Sequence, residues 1–559
     1  MAGGLFISFV ITAIGVPLLA SAFLGEKEAN HEEGGRFNDA LKQRYGRVMN
    51  RLLARPAWVF VAVLPLVLLG GFAFTQVGSG FMPAIDEGGF VLDYRSPPGT
   101  ALSETDRLLK QVEKIIQATP DVQTFSRRTG TGLGGGLSEA NSGDFFIRLK
   151  TANRRPVDDV MSEIRGKVES QVPGLSVEMA QLMEDLIGDL TAVPQPVEVK
   201  LFSDNPARLA ALANDVAARL GKVSGVVDVR NGINPAGDAL VIKVDRSKAA
   251  LEGVDPATVA QSTTDGLTGS VATQMLVGVK TVGVRVVTPA GLRRNADDVS
   301  AMLIKAPDGH LFPLNRIATV ETVTGQPQIG KEDLKRMIAV TARIEGRDLG
   351  SVMTDVKKMM GAAGVVPAGV HVAYGGLYEQ QQIAFSGLLK VFAAAAALVF
   401  ILLLFIYERF SIAIAIVATS LLSVSAVFIG LWLTGIELNI TAMMGMTMVI
   451  GIVTEVGIFY FSEQQEVEDG RSLHESLVLA GQNRMRPIAM TTIAAILTLL
   501  PLAFAIGQGS EMQQPLAVAI ISGLVVQLPL VLLAMPAFHA LMRREHPQRP
   551  SALWQSARI

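Results

Sequence analysis

The apolar residues of this chain come in long blocks. Crossing about 30 Å of hydrocarbon takes about 20 mostly apolar residues in a helix. Segments of that kind run Leu5–Leu24, Ala57–Val77, Phe385–Tyr407, Ile412–Leu433, Ile440–Phe461, Arg486–Ile506 and Leu516–Leu541. The first lacks a basic leader, and its apolar part is too long for a signal peptide, so it reads as a span. Ahead of the second span, Arg36–Leu53 repeats Phe37, Leu41, Tyr45, Val48, Met49 and Leu52 near helical spacing. This pattern predicts an amphipathic helix on the inner membrane surface.

Between the second and third spans the pattern changes. Residues 78–384 repeat a polar-faced helix, a short Val/Pro/Gly turn and a β-branched strand. Leu108–Ala118 leads to Gln123–Arg127, Val157–Val172 to Ser176–Met179, Pro206–Val223 to Val227–Val229, and Val352–Val365 to Val370–Tyr374. Further strands are expected at Gly89–Tyr94, Phe145–Lys150, Pro196–Phe202 and Ile338–Ile344. The order fits two split βαβ units, each with helices on one face of a mixed sheet. The gap between the third and fourth copies predicts an insertion near 235–325. The expected organisation is thus a span (1–24), a cytoplasmic amphipathic helix (25–56), a span (57–77), a soluble α+β region (78–384), a five-span bundle (385–541) and a cytoplasmic tail (542–559).

Basic residues orient the spans, because cytoplasmic loops collect Lys and Arg. Arg36, Lys42, Arg44, Arg47, Arg51 and Arg55 precede the second span. Arg409, then Arg471, Arg484 and Arg486, then Arg543, Arg544 and Arg549 mark later loops, while Thr434–Asn439 and Gly507–Gln514 carry no basic residue. One orientation satisfies them all, with 25–56 inside and 78–384 outside.

Composition removes several function classes. A net charge of −2 gives no footprint for nucleic acid, and the absence of cysteine excludes disulfides and thiolate metal sites. The six histidines are scattered, and His31-Glu32-Glu33 lacks the second histidine of a zinc-protease helix. No nucleophile–base set supports a membrane enzyme, and no cofactor is expected. The rivals are a transporter and a non-transport membrane scaffold.

The span, the external insert of repeated βαβ units and the five close spans resemble the resistance-nodulation-division (RND) family of proton-driven efflux pumps. Local sequence agrees at Phe81-Met82-Pro83 with Asp86-Glu87-Gly88, at Pro97-Pro98-Gly99-Thr100, and along Arg484-Met485-Arg486-Pro487-Ile488-Ala489-Met490-Thr491. The resemblance implies a bacterial inner-membrane permease with ferredoxin-like porter subdomains and an inserted docking subdomain in the periplasm. It also implies a homotrimer working with a periplasmic adaptor and an outer-membrane channel. The chain matches the family's second half, so the N-terminal half is expected from elsewhere.

Glu455 is the first candidate for the chemistry. It lies about two-thirds along a span, where an ionised carboxylate costs several kcal/mol unless paired or neutralised. The resemblance implies a proton relay here: the heavy-metal branch has glutamate at this position, and the drug-exporting branch has lysine. Thr491 and Arg484 match family positions in the relay neighbourhood. Their ordinary alternatives are a hydroxyl bonded to its own helix and a snorkelling arginine.

Other features point away from the metal branch. Ile488 stands where that branch has lysine. The three neighbourhoods matching its methionine triad read Asn141-Ser142-Gly143, Ile187-Gly188-Asp189 and Ser270-Val271-Ala272. Thioethers select soft ions, so the expected substrate is an organic amphiphile or drug, with heavy-metal cations as the alternative. Met179, Met183 and Met275 are expected to fill core space, and Met443, Met444, Met446 and Met448 to pack a helix interface. The run holding Gly130, Gly132, Gly134, Gly135 and Gly136 lacks the Gly-Lys-Ser/Thr ending of a phosphate loop. It matches the family's mobile substrate-path loop, with a plain surface loop as the alternative.

Overall fold

The computed structural model describes residues 2–23, 36–130, 139–191, 195–234, 237–323, 328–507 and 509–543. The chain divides into two compact units, Met1–Ile85 with Gln382–Ile559, and Asp86–Gln381.

In chain order the helices are α1 (Ala2–Phe23), α2 (Arg36–Ala54), α3 (Trp58–Gln76), α4 (Leu102–Ala118), α5 (Val157–Gln171), α6 (Leu182–Thr191), α7 (Pro206–Leu220), α8 (Arg246–Leu251), α9 (Pro256–Leu267), α10 (Ala296–Ser300), α11 (Leu349–Met360), α12 (Leu377–Tyr407), α13 (Phe410–Thr434), α14 (Ile440–Glu466), α15 (Leu473–Ala503), α16 (Gln514–Pro529) and α17 (Met535–Met542). Six of the described helical segments are long and apolar enough to cross a membrane. The described apolar part of α1, Ile7–Phe23, is shorter. The last crossing, Ser510–Met542, contains a π-helical turn at Leu530–Ala534.

Small residues let the membrane helices approach closely, since apolar contact alone gives helices no preference for each other over lipid. A side chain at Gly445 would strike Leu516 and Ala519, one at Gly523 would strike Val449, and one at Gly70 would strike Ser425. Through these contacts α14 packs on α16, and α3 on α13. Helix α2 is not simply laid on lipid. Tyr45, Met49 and Leu53 are buried with Leu477 and Val478 of α15, while Leu41 and Val48 stay exposed. Pro536 has no N–H to give to the Leu532 carbonyl four residues back. The Tyr45 hydroxyl donates to that carbonyl instead, at 2.9 Å. The His474 ring lies 3.0 Å from the Leu53 carbonyl oxygen, a second tie.

In the Asp86–Gln381 unit the first sheet holds β1 (Gly89–Arg95), β2 (Val122–Thr129), β3 (Ser142–Leu149) and β4 (Ser176–Gln181), in the order β2-β3-β1-β4. The second holds β5 (Val197–Phe202), β6 (Val226–Arg230), β13 (Gly330–Glu332), β14 (Lys335–Ile344) and β15 (His371–Gly375), with β14 between β6 and β5, and β15 on the other side of β5. The two patterns are the same: a helix joins two strands that are not neighbours, and a third strand fills the gap. That interleaved strand runs opposite to both, so every pairing is antiparallel. The expectation of mixed sheets is corrected on this point. Helices α4 and α5 cover one face of the first sheet around Phe90, Leu92, Phe145 and Ile147.

Between β6 and β14 the chain makes β7 (Ala239–Val244) paired with β12 (Ala318–Val323), β10 (Leu303–Lys305) paired with β11 (Leu311–Pro313), and a hairpin of β8 (Ser270–Val277) and β9 (Lys280–Val286). Every residue of that hairpin is exposed.

Candidate functional site

Helix α14 carries Glu455 on its outward face. Asn439 caps the helix by accepting from the Ala442 N–H at 3.0 Å. The inward face is closed by Gly445, Val449, Val453 and Gly457. Thr454, next to Glu455, points inward, its hydroxyl 3.3 Å from that of Ser420 on α13. Outward at 3- and 4-residue steps come Met444, Met448, Gly451, Glu455, Phe459 and Ser462, all exposed. These steps place them in one stripe. Of the four neighbouring methionines, only Met446 is buried in the bundle. Glu455 is therefore a carboxylate in a largely apolar outward stripe, reached by no described hydrogen-bond or ion-pair partner.

Thr491, on α15, is also exposed. Its hydroxyl donates to the carbonyls of Pro487 and Ile488 in its own helix, at 3.2 and 3.0 Å. Arg484, nearer the start of α15, sets Nε 2.8 Å from Glu463 Oε2, an ion pair without hydrogen-bond alignment. Glu463 also accepts from Asn483 at 2.8 Å. Gly130 ends β2 with φ of +67°, a backbone that favours glycine. Gly132, Gly134, Gly135 and Gly136 lie outside the described residues.

Sequence reasoning passed over two features. Gln527, on α16, is fully buried, and neither its amide nitrogen nor its oxygen has a described partner. A glutamine inside the last apolar run was a readable signal. The second is a row of carboxylates in the periplasmic unit. Register sets Asp144 of β3, Asp93 of β1 and Glu178 of β4 side by side. Their parity puts them on the face away from Phe90 and Leu92.

The ends of this row are neutralised and its middle is not. Arg128, across from Asp144 on β2, donates Nε to it at 2.8 Å. Glu178 is buried and meets Arg343 Nε at 2.7 Å, Arg230 Nη2 at 3.0 Å and the Gln195 amide at 3.0 Å. Arg343 also holds Glu184 at 2.8 Å. Asp93 sits between with no ion pair among the described residues. Burial, reinforced by Asp185 and Glu178, pushes its carboxyl up to about 7.

A further ionic junction links the two sheets. Arg165 of α5 pairs with Asp228 of β6 at 2.9 Å and with Glu345 just past β14. Asp228 adopts a left-handed φ of 51° and accepts from the Met179 N–H at 3.2 Å. Beside this junction a polar cleft of about 680 Å³ is lined by Arg95, Glu198, Arg230, Asn231, Asn234 and Gln328 among others. Met179 packs in the core of the first sheet, whereas Met183 and Met275 are exposed. Among the described residues, no group of three His, Asp or Glu is placed to hold a metal ion.

The family model described as AcrB/AcrD/AcrF matches residues 1–543. The chain belongs to this RND transporter family. It is a family of membrane transporters, not enzymes, and its members carry a periplasmic α+β region. The chain is 29% identical over 553 residues to the cobalt-zinc-cadmium resistance protein CzcA of Cupriavidus metallidurans, covering 96% of this chain and 52% of that protein. It is also 29% identical to the nickel and cobalt resistance protein CnrA of the same organism, covering 98% and 52%. The multidrug resistance protein MdtC of Yersinia pestis is 25% identical, covering 92% and 51%. A crystal structure of a heavy metal efflux pump superposes with a TM-score of 0.76 at 24% identity, covering 91% of this chain and 53% of that one. This RND chain thus spans about half the length of the curated relatives it matches.

Proposed function

We propose that this chain is the second half of a proton-driven RND efflux permease exporting divalent heavy-metal cations. The observation that carries the proton coupling is the outward position of Glu455 in a largely apolar stripe. A carboxylate at that depth needs a covering surface that supplies a partner or keeps it protonated. The first half of the transporter is the natural cover.

The cation class rests on the relatives named for cobalt, zinc, cadmium and nickel, which match more closely than the multidrug relative. Organic amphiphiles, favoured from sequence, take second place. The missing methionines argue against Cu(I), which needs soft ligands. Zinc, cobalt and nickel are served by imidazole and carboxylate, so the argument from methionine does not reach them. For the homotrimer, the support is the exposed β8–β9 hairpin, since a two-stranded hairpin is marginal in water without a partner. The adaptor and outer-membrane channel follow from the family's usual tripartite assembly.

The test restores the N-terminal half and measures zinc, cobalt and cadmium export in a metal-sensitive bacterium. Glu455→Gln should abolish proton-driven export, and Thr491→Ala and Arg484→Gln should lower it. Intact export in Glu455→Gln would sink the relay. Export of a lipophilic dye but no cation would return the substrate to the amphiphile class.

A further inference from the structure

The end of α2, the start of α3 and the last span enclose an apolar groove of about 630 Å³. Its walls include Val59, Val63 and Leu66 of α3 facing Val526 and Leu530. The groove lies beside the π-helical turn at Leu530–Ala534. Such a turn hydrogen-bonds i to i+5, which locally breaks the regular side-chain spacing of an α-helix. The turn follows Pro529, which cannot donate into a regular ladder.

At the mouth lie Arg51, Arg55 and Trp58. Arg51 lies in the last turn of α2 and Arg55 just past its end, and both line the groove and are exposed. Neither guanidinium bonds to a described residue. Other arginines of this unit differ: Arg409 and Arg543 share Glu468, at 3.1 Å each, and Arg484 pairs with Glu463. Trp58 is 57% exposed at the first turn of α3, the position where an amphipathic ring sits at a membrane interface. From Trp58 to Leu66 the wall descends about 12 Å at 1.5 Å per residue.

We propose that this groove binds one anionic phospholipid from the inner leaflet, its phosphate held by Arg51 and Arg55 and an acyl chain laid along Ala62, Leu66 and Pro529. The charge pattern selects this occupant. A partner helix covering the groove would strip water from two guanidiniums without neutralising them. A small soluble anion would satisfy the arginines and leave the apolar walls unused. A phospholipid matches both ends, and basic pockets at the cytoplasmic side of membrane helices are suited to anionic head groups.

The test uses the full chain in nanodiscs of phosphatidylcholine, with Trp432→Phe and Trp554→Phe leaving Trp58 as the sole tryptophan. Brominated phosphatidylglycerol should quench Trp58 at a mole fraction roughly tenfold lower than brominated phosphatidylcholine does. Arg51→Gln with Arg55→Gln should erase that difference, while the paired Arg→Lys changes should keep most of it. Ala62→Phe, placed in the groove wall, should weaken quenching by the anionic lipid with both arginines intact. Native mass spectrometry of the unsubstituted chain should retain one phosphatidylglycerol. Equal quenching by the two lipids, or a preference that survives the double Gln variant, would overturn the proposal. So would displacement of the lipid by millimolar inorganic phosphate, or a second copy of the chain crosslinking at Ala62→Cys in place of lipid.

Discussion

Asp93 offers a quantitative test of the periplasmic unit. Its carboxyl lies directly between Asp144 and Glu178 across the strands. Cross-strand neighbours are about 5 Å apart, and like charges there are destabilising. Both flanking carboxylates have arginine partners, whereas burial, reinforced by Asp185 and Glu178, pushes the Asp93 carboxyl up to about 7 from 3.8. A difference of about 3 pKa units corresponds to about 4 kcal/mol at full effect. Partial exposure of Asp93 reduces this to about 2–4 kcal/mol.

The sign follows from linkage. The folded-state pKa is raised, so the contribution is fully present below about 4 and is lost as pH rises through about 7. Asp93→Asn keeps the shape of the protonated acid and cannot ionise. It should therefore be neutral near pH 4, and by pH 8 it should stabilise the unit by about 2–4 kcal/mol. Tryptophan fluorescence is blind to this change, because Trp58, Trp432 and Trp554 all lie outside Asp86–Gln381. Hydrogen exchange of β1 and β3 in the full chain, at pH 5 and pH 8 with intrinsic rates corrected, reads it directly. Protection in Asp93→Asn should exceed that of the parent at pH 8 by a factor of tens or more, and by a smaller factor at pH 5. Equal protection at both pH values, or a loss at pH 8, would refute the reasoning.

Three further outcomes are expected. Arg343→Met leaves Glu178 buried beside Arg230 alone and should cost about 3–5 kcal/mol, read by hydrogen exchange of β4 and β14; adding Glu178→Met should recover part of that loss. Gly481→Ala places a Cβ 1.9 Å from the Tyr45 hydroxyl. It should expel that ring, orphan the Leu532 carbonyl at a cost of about 1–3 kcal/mol and raise thiol labelling at Met49→Cys severalfold. Replacing 270–286 by a short Gly-Ser turn should abolish the proposed trimer on native gels while leaving exchange protection of β5 and β14 unchanged, because the hairpin lies outside both porter sheets.

How far the sequence could be read depends on where each interaction partner sits. The repeated helix–turn–strand units were legible because each one is local, and their ferredoxin-like class followed. The reading of mixed sheets failed because the strand that splits each βαβ unit arrives from far along the chain. Glu455 stood out as a lone carboxylate in an apolar run, but its outward direction depends on Gly445 and Gly457 seating the opposite face. For Arg36–Leu53 the periodicity revealed an apolar face and not its cover. Burial of Tyr45 requires Gly481 and the carbonyl freed by Pro536, both more than 400 positions away. Asp93 fell inside the expected strand Gly89–Tyr94, whereas its two carboxylate neighbours are visible only in the register. The reading of substrate stretched an argument about soft ions to cover all metals, while the relatives named for cobalt, zinc, cadmium and nickel match more closely than the multidrug one.

Whether a carboxylate is locked to an arginine limits where a proton can do work. Glu178, Glu184, Asp228 and Glu345 are each locked to an arginine, so protonating any of them would break a buried or half-buried ion pair. Glu455 has no such lock among the described residues, and its surroundings depend on whichever surface closes over the α14 stripe. Driving a two-state equilibrium from 1:99 to 99:1 takes about 5.5 kcal/mol. At about 1.4 kcal/mol per pKa unit, a single titrating group must differ by about four units between the two states to supply it alone. Swings of that size arise only when a carboxyl alternates between a dry apolar contact and a close cation. The covering surface must then bring a basic group to the stripe in one state and withdraw it in the other. If that half instead carries a second carboxyl, two protons share the load and each needs only about half the swing. Proton-to-substrate stoichiometry in the reconstituted transporter decides between them: one proton per cycle requires the mobile cation, and two point to the shared pair.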